Sequence, residues 1–309
     1  MDIDREQETV KVAVVQASPV IMNKEKTLQK SLDLIEKAAA KGAKIVVFPE
    51  AYFSAYPRGL NFGCRIGSRT QAGREDYLKF YRSSVKVPGP ITAKLASAAQ
   101  EAKIYLVMGV NELDQSQNNS TIYCSILYFS PQGELIARHQ KLKPTGSERL
   151  IWGEGDSSTL STISTPYGTL GGLICWENYM PLARAAIYKQ GVKFYVAPTA
   201  DARDEWQSTL QHIALEGRTF VLASNQFVTK AMYPEDLNYI DELEEQPEVM
   251  CRGGSAIIDP LGNYLAGPLY GEEGILFADL DLDLIPKSRL DFDVNGHYSR
   301  PDIFQLQIT

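Results

Sequence analysis

GSAIIDPLGNYLAG, residues 254–267, reads as two strands folded back on each other through Pro260-Leu261-Gly262-Asn263. A hairpin of this kind has no place in a purely parallel sheet, where successive strands are joined by crossovers. PQG at 131–133 predicts a second hairpin, between strands at 121–129 and 134–141. Other strands are spaced by helices. KIVVFPE (44–50) follows a helical pattern over 24–41, where Leu28, Leu32, Ile35 and Ala39 share one face, Asn23 can cap the start and Gly42 can end it. IYLVMGV (104–110) follows a stripe of Ile91, Leu95, Ala98 and Ala102, and TFVLASNQF (219–227) follows one of Trp206, Leu210, Ile213 and Gly217. Apolar stretches at 10–20, 168–177, 193–200 and 274–282 complete the strands. Crossovers and hairpins together call for two mixed sheets, each covered by helices on its outer face. With neither a short-period repeat nor a Pro/Ser linker, residues 1–309 read as one domain.

Composition narrows the function. The chain has 309 residues, 44% of them hydrophobic, which suffices for a large core without disulfide staples. Its 31 basic and 38 acidic residues give a net charge of −7, so nucleic acid and anionic membrane are not expected partners. No apolar run approaches the ~20 residues of a bilayer span, and the charged start MDIDREQETV lacks the core of a signal peptide. A cytoplasmic location is the expectation. Residues 235–248 carry seven acids and no base, which predicts a solvated surface excursion. Cys64, Cys124, Cys175 and Cys251 are widely separated, and His139, His212 and His297 show no metal-ligand spacing.

Three apolar runs end in reactive groups. IVVFP ends at Glu50, the strand through 135–137 ends near Lys141, and GGLI ends at Cys175. Ligand-binding groups commonly gather at the carboxyl ends of strands in α/β sheets. A carboxylate can take the thiol proton, and an ammonium can stabilise the thiolate and then the charge that develops on the substrate. N–H groups opening a helix after Cys175 would assist an anion. The competing arrangement is a papain-like Cys/His pair, which would need one of the three histidines beside Cys175.

Longer blocks surround the three residues. FPEAYFSAYPRG (48–59), HQKLKPTGSERLIWGEGD (139–156) and GGLICWENYMPLAR (171–184) resemble the glutamate, lysine and cysteine blocks of the nitrilase superfamily, carbon–nitrogen hydrolases with a Glu–Lys–Cys triad. APTAD (197–201), HIALEGR (212–218), SNQF (224–227) and GHYSRPDIF (296–304) extend the likeness over nearly the whole chain and are similar to the true nitrilase branch. The resemblance implies an αββα four-layer sandwich that forms homodimers or higher homo-oligomers, acts on a small-molecule nitrile and uses no metal or organic cofactor. It makes Cys175 the nucleophile, Glu50 the general base and Lys141, not Lys143, the electrostatic stabiliser. Glu148 becomes an additional acid that orders the lysine, and Tyr56, Trp152, Trp176 and Tyr179 become pocket-wall positions. His212 and Glu216, four apart on a helix, read as a structural pair, and His297 as structural. The activity expected is hydrolysis of an organic nitrile to the acid and ammonia. The alternatives are an amidase or carbamoylase using the same triad, or a non-catalytic assembly protein on the same scaffold.

Overall fold

A computed structural model describes residues 9–115 and 120–309. In chain order its strands and helices are β1 (Thr9–Gln16), α1 (Lys24–Ala40), β2 (Ile45–Val47), α2 (Gln71–Ser83), β3 (Val85–Lys86), α3 (Pro90–Ala102), β4 (Tyr105–Leu113), β5 (Ile122–Phe129) and β6 (Leu135–Gln140). The second half holds β7 (Ile163–Thr165), β8 (Gly168–Gly172), α4 (Pro181–Lys189), β9 (Val192–Val196), α5 (Asp204–Gly217), β10 (Phe220–Ala223), β11 (Phe227–Thr229), β12 (Val249–Ile258), β13 (Tyr264–Tyr270), β14 (Gly274–Asp281) and α6 (Leu284–Ser288).

The strands form two seven-stranded sheets. One runs β14-β1-β2-β4-β5-β6 with β3 beside β4, and the other runs β11-β12-β10-β9-β8-β7 with β13 beside β12. Both are mixed: β1, β2 and β4 are mutually parallel, as are β8, β9 and β10, while β14, β5, β6, β7 and β12 join antiparallel. Alternation along β1 shows how a strand serves two layers. Val12 and Val14 point into an apolar layer shared with Leu170, Phe194 and Leu222 of the other sheet. Ala13 and Val15 point the opposite way, onto Leu28 and Ile35 of α1 and Leu95 of α3. Across the molecule Ala183 and Ile187 of α4 and Trp206 and Leu210 of α5 cover Tyr195 and Val221. The result is the expected order of layers, helix–sheet–sheet–helix.

Several expected boundaries shift. The strand expected over 168–177 stops at Gly172, and 175–179 form a 3₁₀ turn. The strand expected over 219–227 stops at Ala223, because Ser224, Asn225 and Gln226 turn buried polar side chains to other uses. The 254–267 hairpin is present, turned by Asp259 N to Asn263 O and Gly262 N to Asp259 O hydrogen bonds. The acidic segment 235–248 is more than a solvated excursion. Leu237 and Leu243 are buried in a cluster with Ala55, Tyr233 and Met250, and the Glu242 carboxylate accepts the Asn61 and Gly63 N–H groups. Among the described residues, no helix is long and apolar enough to cross a membrane.

One close approach positions the site. The chain from β2 to Glu50 runs so near β4 that a Cβ on Gly109 would stand 1.9 Å from Pro49 O and 3.0 Å from Ala51 N. Both neighbours are backbone and cannot rotate away. Gly109→Ala is therefore expected to destabilise the protein by about 2–4 kcal/mol and to displace Glu50, lowering both Tm and turnover. Wild-type Tm and activity in this variant would show that the two segments can part without cost.

Candidate active site

Glu50, Lys141 and Cys175, which come from three strand ends, meet between the sheets, with Glu148 as a fourth member. Glu50 is 1% exposed, and its backbone O accepts a hydrogen bond from Gln226 Nε2 at 2.8 Å, so the broken end of β10 pins the acid from the opposite sheet. Lys141 follows β6. Its N–H donates to Cys124 O at 2.8 Å, and its side chain is fully buried. The Lys141 ammonium donates to Glu50 Oε1 at 2.7 Å and to Glu148 Oε2 at 2.8 Å, and lies 5.6 Å from the Trp152 ring centroid. Glu148 sits in a 3₁₀ turn at Gly146–Leu150. Its Oε2 also accepts the Thr145 N–H, and its Oε1 accepts the Tyr56 hydroxyl at 2.8 Å. Lys143 instead pairs with Glu154 at the surface.

Cys175 opens the 3₁₀ turn with φ +49°, a left-handed conformation uncommon outside glycine. The bend is held on three sides. Cys175 N–H donates to Pro198 O at 2.9 Å, Asn178 Nδ2 donates to Cys175 O at 2.8 Å, and Tyr195 Oη donates to Asn178 Oδ1 at 2.8 Å. The Glu177 carboxylate binds the Leu142 and Ile174 N–H groups and His139 Nε2, tying the lysine segment to the cysteine segment. His139 is thus committed to Glu177. Among the described residues, no histidine hydrogen-bonds the Cys175 sulfur or lines its cavity, so the papain-like arrangement falls. His212 lies 3.7 Å from Glu216 on α5, and His297 packs edge-on against Tyr298.

Burial dominates the electrostatics. It raises the Glu50 carboxyl above its ordinary range, with Lys141 pulling the other way. The second Glu50 oxygen, Oε2, is buried without a hydrogen-bond partner, and the Cys175 thiol is close enough to interact with the carboxyl. Burial opposes the Lys141 charge, yet the surrounding acids, Glu50 foremost, outweigh it and hold the ammonium pKa well above normal. The Cys175 thiol is pushed up to about 12 by burial and by Glu50, against the pull of Lys141. The resting site therefore favours a neutral thiol beside a base, with a cation fixed alongside.

The thiol faces a cavity of about 400 Å³ lined by Tyr56, Arg58, Glu148, Trp176, Asp201 and Arg252, among others. Of the four expected wall residues, Tyr56 and Trp176 line it. Trp152 packs edge-on against Tyr56 at 5.5 Å and lines an adjoining hollow. Tyr179 lies outside, half exposed and stacked edge-on against Trp176 and Trp206, so it is not wall. Sequence reading missed Arg58, Asp201, Arg203 and Arg252. The first three stand in or beside FPEAYFSAYPRG and APTAD, and for Asp201 and Arg203 an unexplained charge next to a strand end was the available signal. Nothing in the sequence near Arg252 distinguished it. Among the described residues, no group of three or more His, Cys, Asp or Glu could hold a metal ion.

A buried acid–ammonium–acid cluster against a cavity-lining thiol, on a four-layer sandwich, defines a class. Residues 11–289 match the carbon–nitrogen hydrolase family model, and the chain belongs to that family, within the nitrilase superfamily. Its similarities are to the aliphatic nitrilase of Sinorhizobium fredii (strain HH103), 51% identical over 96% of this chain and 95% of that protein. The bifunctional nitrilase/nitrile hydratase NIT4A of Lupinus angustifolius is 48% identical over 100% of this chain and 88% of that protein. Among solved structures, Saccharomyces cerevisiae Nit3, of branch 10 of the superfamily, superposes with a TM-score of 0.71 at 23% identity, covering 95% of this chain and 97% of that one.

Proposed function

We propose that the protein is a nitrilase, releasing a carboxylic acid and ammonia from an organic nitrile through covalent intermediates on Cys175. The observation that carries this reading is the Lys141 ammonium held at 2.7 Å from Glu50 and 2.8 Å from Glu148 beside the cavity-lining thiol. Glu50 takes the Cys175 proton, the sulfur attacks the nitrile carbon, and Glu50 returns the proton to nitrogen, giving a thioimidate. Water adds next. Its hydroxyl joins carbon, and its second proton passes by way of Glu50 to nitrogen. The hydroxyl proton then passes by way of Glu50 to nitrogen as the C–N bond breaks with its electron pair on nitrogen, which leaves as ammonia, and a thioester remains. A second water, deprotonated by Glu50, releases the acid and restores the thiol. Lys141 keeps a positive charge beside each tetrahedral centre, with the N–H following Cys175 as a second donor.

The alternative is an amidase or carbamoylase on the same residues. Ammonia release measured in parallel from nitriles and from matching amides decides: release from nitriles is expected, and release from amides alone would overturn the reading. Mass spectrometry with a slow substrate should place the adduct on the Cys175 peptide.

Arg58 narrows the nitrile. Its guanidinium lines the cavity, is largely buried, donates to Ala200 O and pairs with no carboxylate among the described residues. Arg203 and Arg252, by contrast, pair with Asp201 and Asp204. A buried cation without a counter-ion is costly unless the ligand supplies one. The substrate is therefore a nitrile that also carries a carboxylate, such as a cyano-substituted amino acid. Arg58→Met is expected to lower kcat/KM for carboxylated nitriles about 100-fold, by the cost of losing one partner of a buried charge pair, and to leave neutral nitriles far less affected. Equal losses on both kinds would remove the carboxylate assignment.

The apolar layer common to both sheets supports a single domain. Leu182 on α4 and Leu215 on α5, 70% and 41% exposed on one outer helical layer, support a homodimer or larger homo-oligomer. Sedimentation as a monomer would overturn that.

A further inference from the structure

Thr199 has no part in the scheme above, yet it touches the reacting sulfur. It is 1% exposed, in the turn that follows β9. Its N–H donates to Ser224 O at 2.9 Å, which fixes the backbone to the end of the neighbouring strand β10. The Asp201 N–H donates to Thr199 Oγ1 at 2.9 Å and occupies a lone pair of the hydroxyl, leaving its proton to point elsewhere. That proton goes to Cys175 Sγ, at an O···S distance of 3.1 Å. Cys175 N–H is bound to the neighbouring Pro198 O, and the Asp201 carboxylate holds the Trp176 indole at 2.8 Å. One turn, 198–201, thus fixes the nucleophile's backbone, its sulfur and the adjacent wall residue. The other charged or polar side chains around the sulfur are Glu50, Lys141, Glu148, Tyr56 and Arg58, and the hydroxyl is the neutral donor committed to sulfur itself.

We propose that the Thr199 hydroxyl stabilises the Cys175 sulfur as a leaving thiolate and so sets how much amide, relative to acid, the enzyme releases. The inference rests on Cys175 being the nucleophile. After water adds to the thioimidate, the central carbon carries a hydroxyl, an amino group and Sγ. If C–N breaks, the electron pair goes to nitrogen, protonated through Glu50, and ammonia leaves a thioester that becomes acid. If C–S breaks, the pair goes to Sγ, the hydroxyl proton goes to Glu50, and the carbon departs as amide. A donor on sulfur favours the second exit because it meets the charge that arrives there. The same donor raises the thiolate fraction for attack but lowers the sulfur's nucleophilicity, so its net effect on attack is smaller than its effect on ionisation.

The test compares Thr199→Val, which keeps the shape and removes the hydroxyl, with Thr199→Ser, which keeps the hydroxyl. Thr199→Ala serves if valine does not fold. The substrate is a nitrile with an electron-withdrawing group beside the cyano carbon, which disfavours positive charge on nitrogen and makes amide measurable. The acid-to-amide ratio is independent of how much enzyme is folded. It should rise at least about threefold in Thr199→Val, with Cys175 alkylation by iodoacetamide slowed about threefold, and both should return toward wild type in Thr199→Ser. An unchanged ratio in Thr199→Val, a serine variant that behaves like valine, or a wild type that forms no amide would each overturn the inference. Failure of the nitrilase reading would look different: wild-type alkylation or substrate adduct mapping to Cys64, Cys124 or Cys251.

Discussion

Replacing Cys175 with alanine is expected to abolish ammonia release from nitriles, by about 10⁵-fold or more, while leaving the protein folded. The size of the effect follows from covalency: both the thioimidate and the thioester need the sulfur, and no neighbouring group can substitute for it. Cys124 and Cys251 are buried and do not line the cavity, and burial pushes both thiols above their ordinary range. The fold should tolerate the change. Alanine meets the same backbone demand at φ +49°, a demand met by the Pro198, Asn178 and Tyr195 hydrogen bonds and not by the side chain. The lost sulfur borders the cavity, so the stability cost is about 1 kcal/mol. Ammonia release with a parallel thermal melt measures both quantities. Undiminished release from a folded variant would remove the covalent mechanism.

What could be read ahead of the structure follows a physical division. Glu50 and Cys175 were legible because each ends an apolar run, and a charge or thiol at a strand end stands out against Val, Ile and Leu, whereas Lys141, preceded by Arg138, His139 and Gln140, was legible through the resemblance of HQKLKPTGSERLIWGEGD to the family's lysine block. The two mixed sheets were legible because turn chemistry at 131–133 and 260–263 marks hairpins that no all-parallel sheet contains. Helix α2 was not placed. Its inward stripe is Gly73, Asp76, Phe80 and Ser83, and buried Asp76 caps the 238–239 backbone, a use of an acid that no apolar periodicity reveals. The supporting polar residues were equally hidden. Ser224 binds Val15 O, Asn225 binds Asp201 O and Gly253 O, and Gln226 binds Glu50 O, all across long sequence separations. The Asn225 bonds exist only once the strands of one sheet are assembled, and those of Ser224 and Gln226 only once the two sheets are stacked. The sequence displays the groups that do chemistry more readily than the groups that hold them.

Removing the cation should be nearly as damaging as removing the thiol, but with a distinct pH signature. Lys141→Met keeps most of the length of the side chain and deletes the charge that both Glu50 and Glu148 contact. Turnover is expected to fall about 10³-fold or more, since developing negative charge loses its nearest positive partner. Stability near pH 8 should fall by about 3–5 kcal/mol, because an ionised Glu50 would be left buried without its counter-ion. In the wild type burial already raises the Glu50 pKa and Lys141 restrains it, so deleting Lys141 lets it climb further. A carboxyl whose folded pKa exceeds its unfolded value binds more protons when folded. Its effect therefore makes stability decline as pH rises from about 4.5 through the folded pKa, and the Tm deficit of Lys141→Met should be larger at pH 8 than at pH 5. Wild-type Lys141 obeys the same sign in a higher window: its stabilisation is complete below the unfolded pKa of about 10.5 and is lost only as pH passes the higher folded value. Adding Glu148→Gln to Lys141→Met removes one of the two acids that the ammonium had joined. The double variant should regain part of the stability at pH 8 and none of the activity, because the cation that serves the reaction is still missing. Equal Tm deficits at pH 5 and pH 8 would mean that the lysine acts by filling space and not by charge, and the electrostatic role assigned to it would fall.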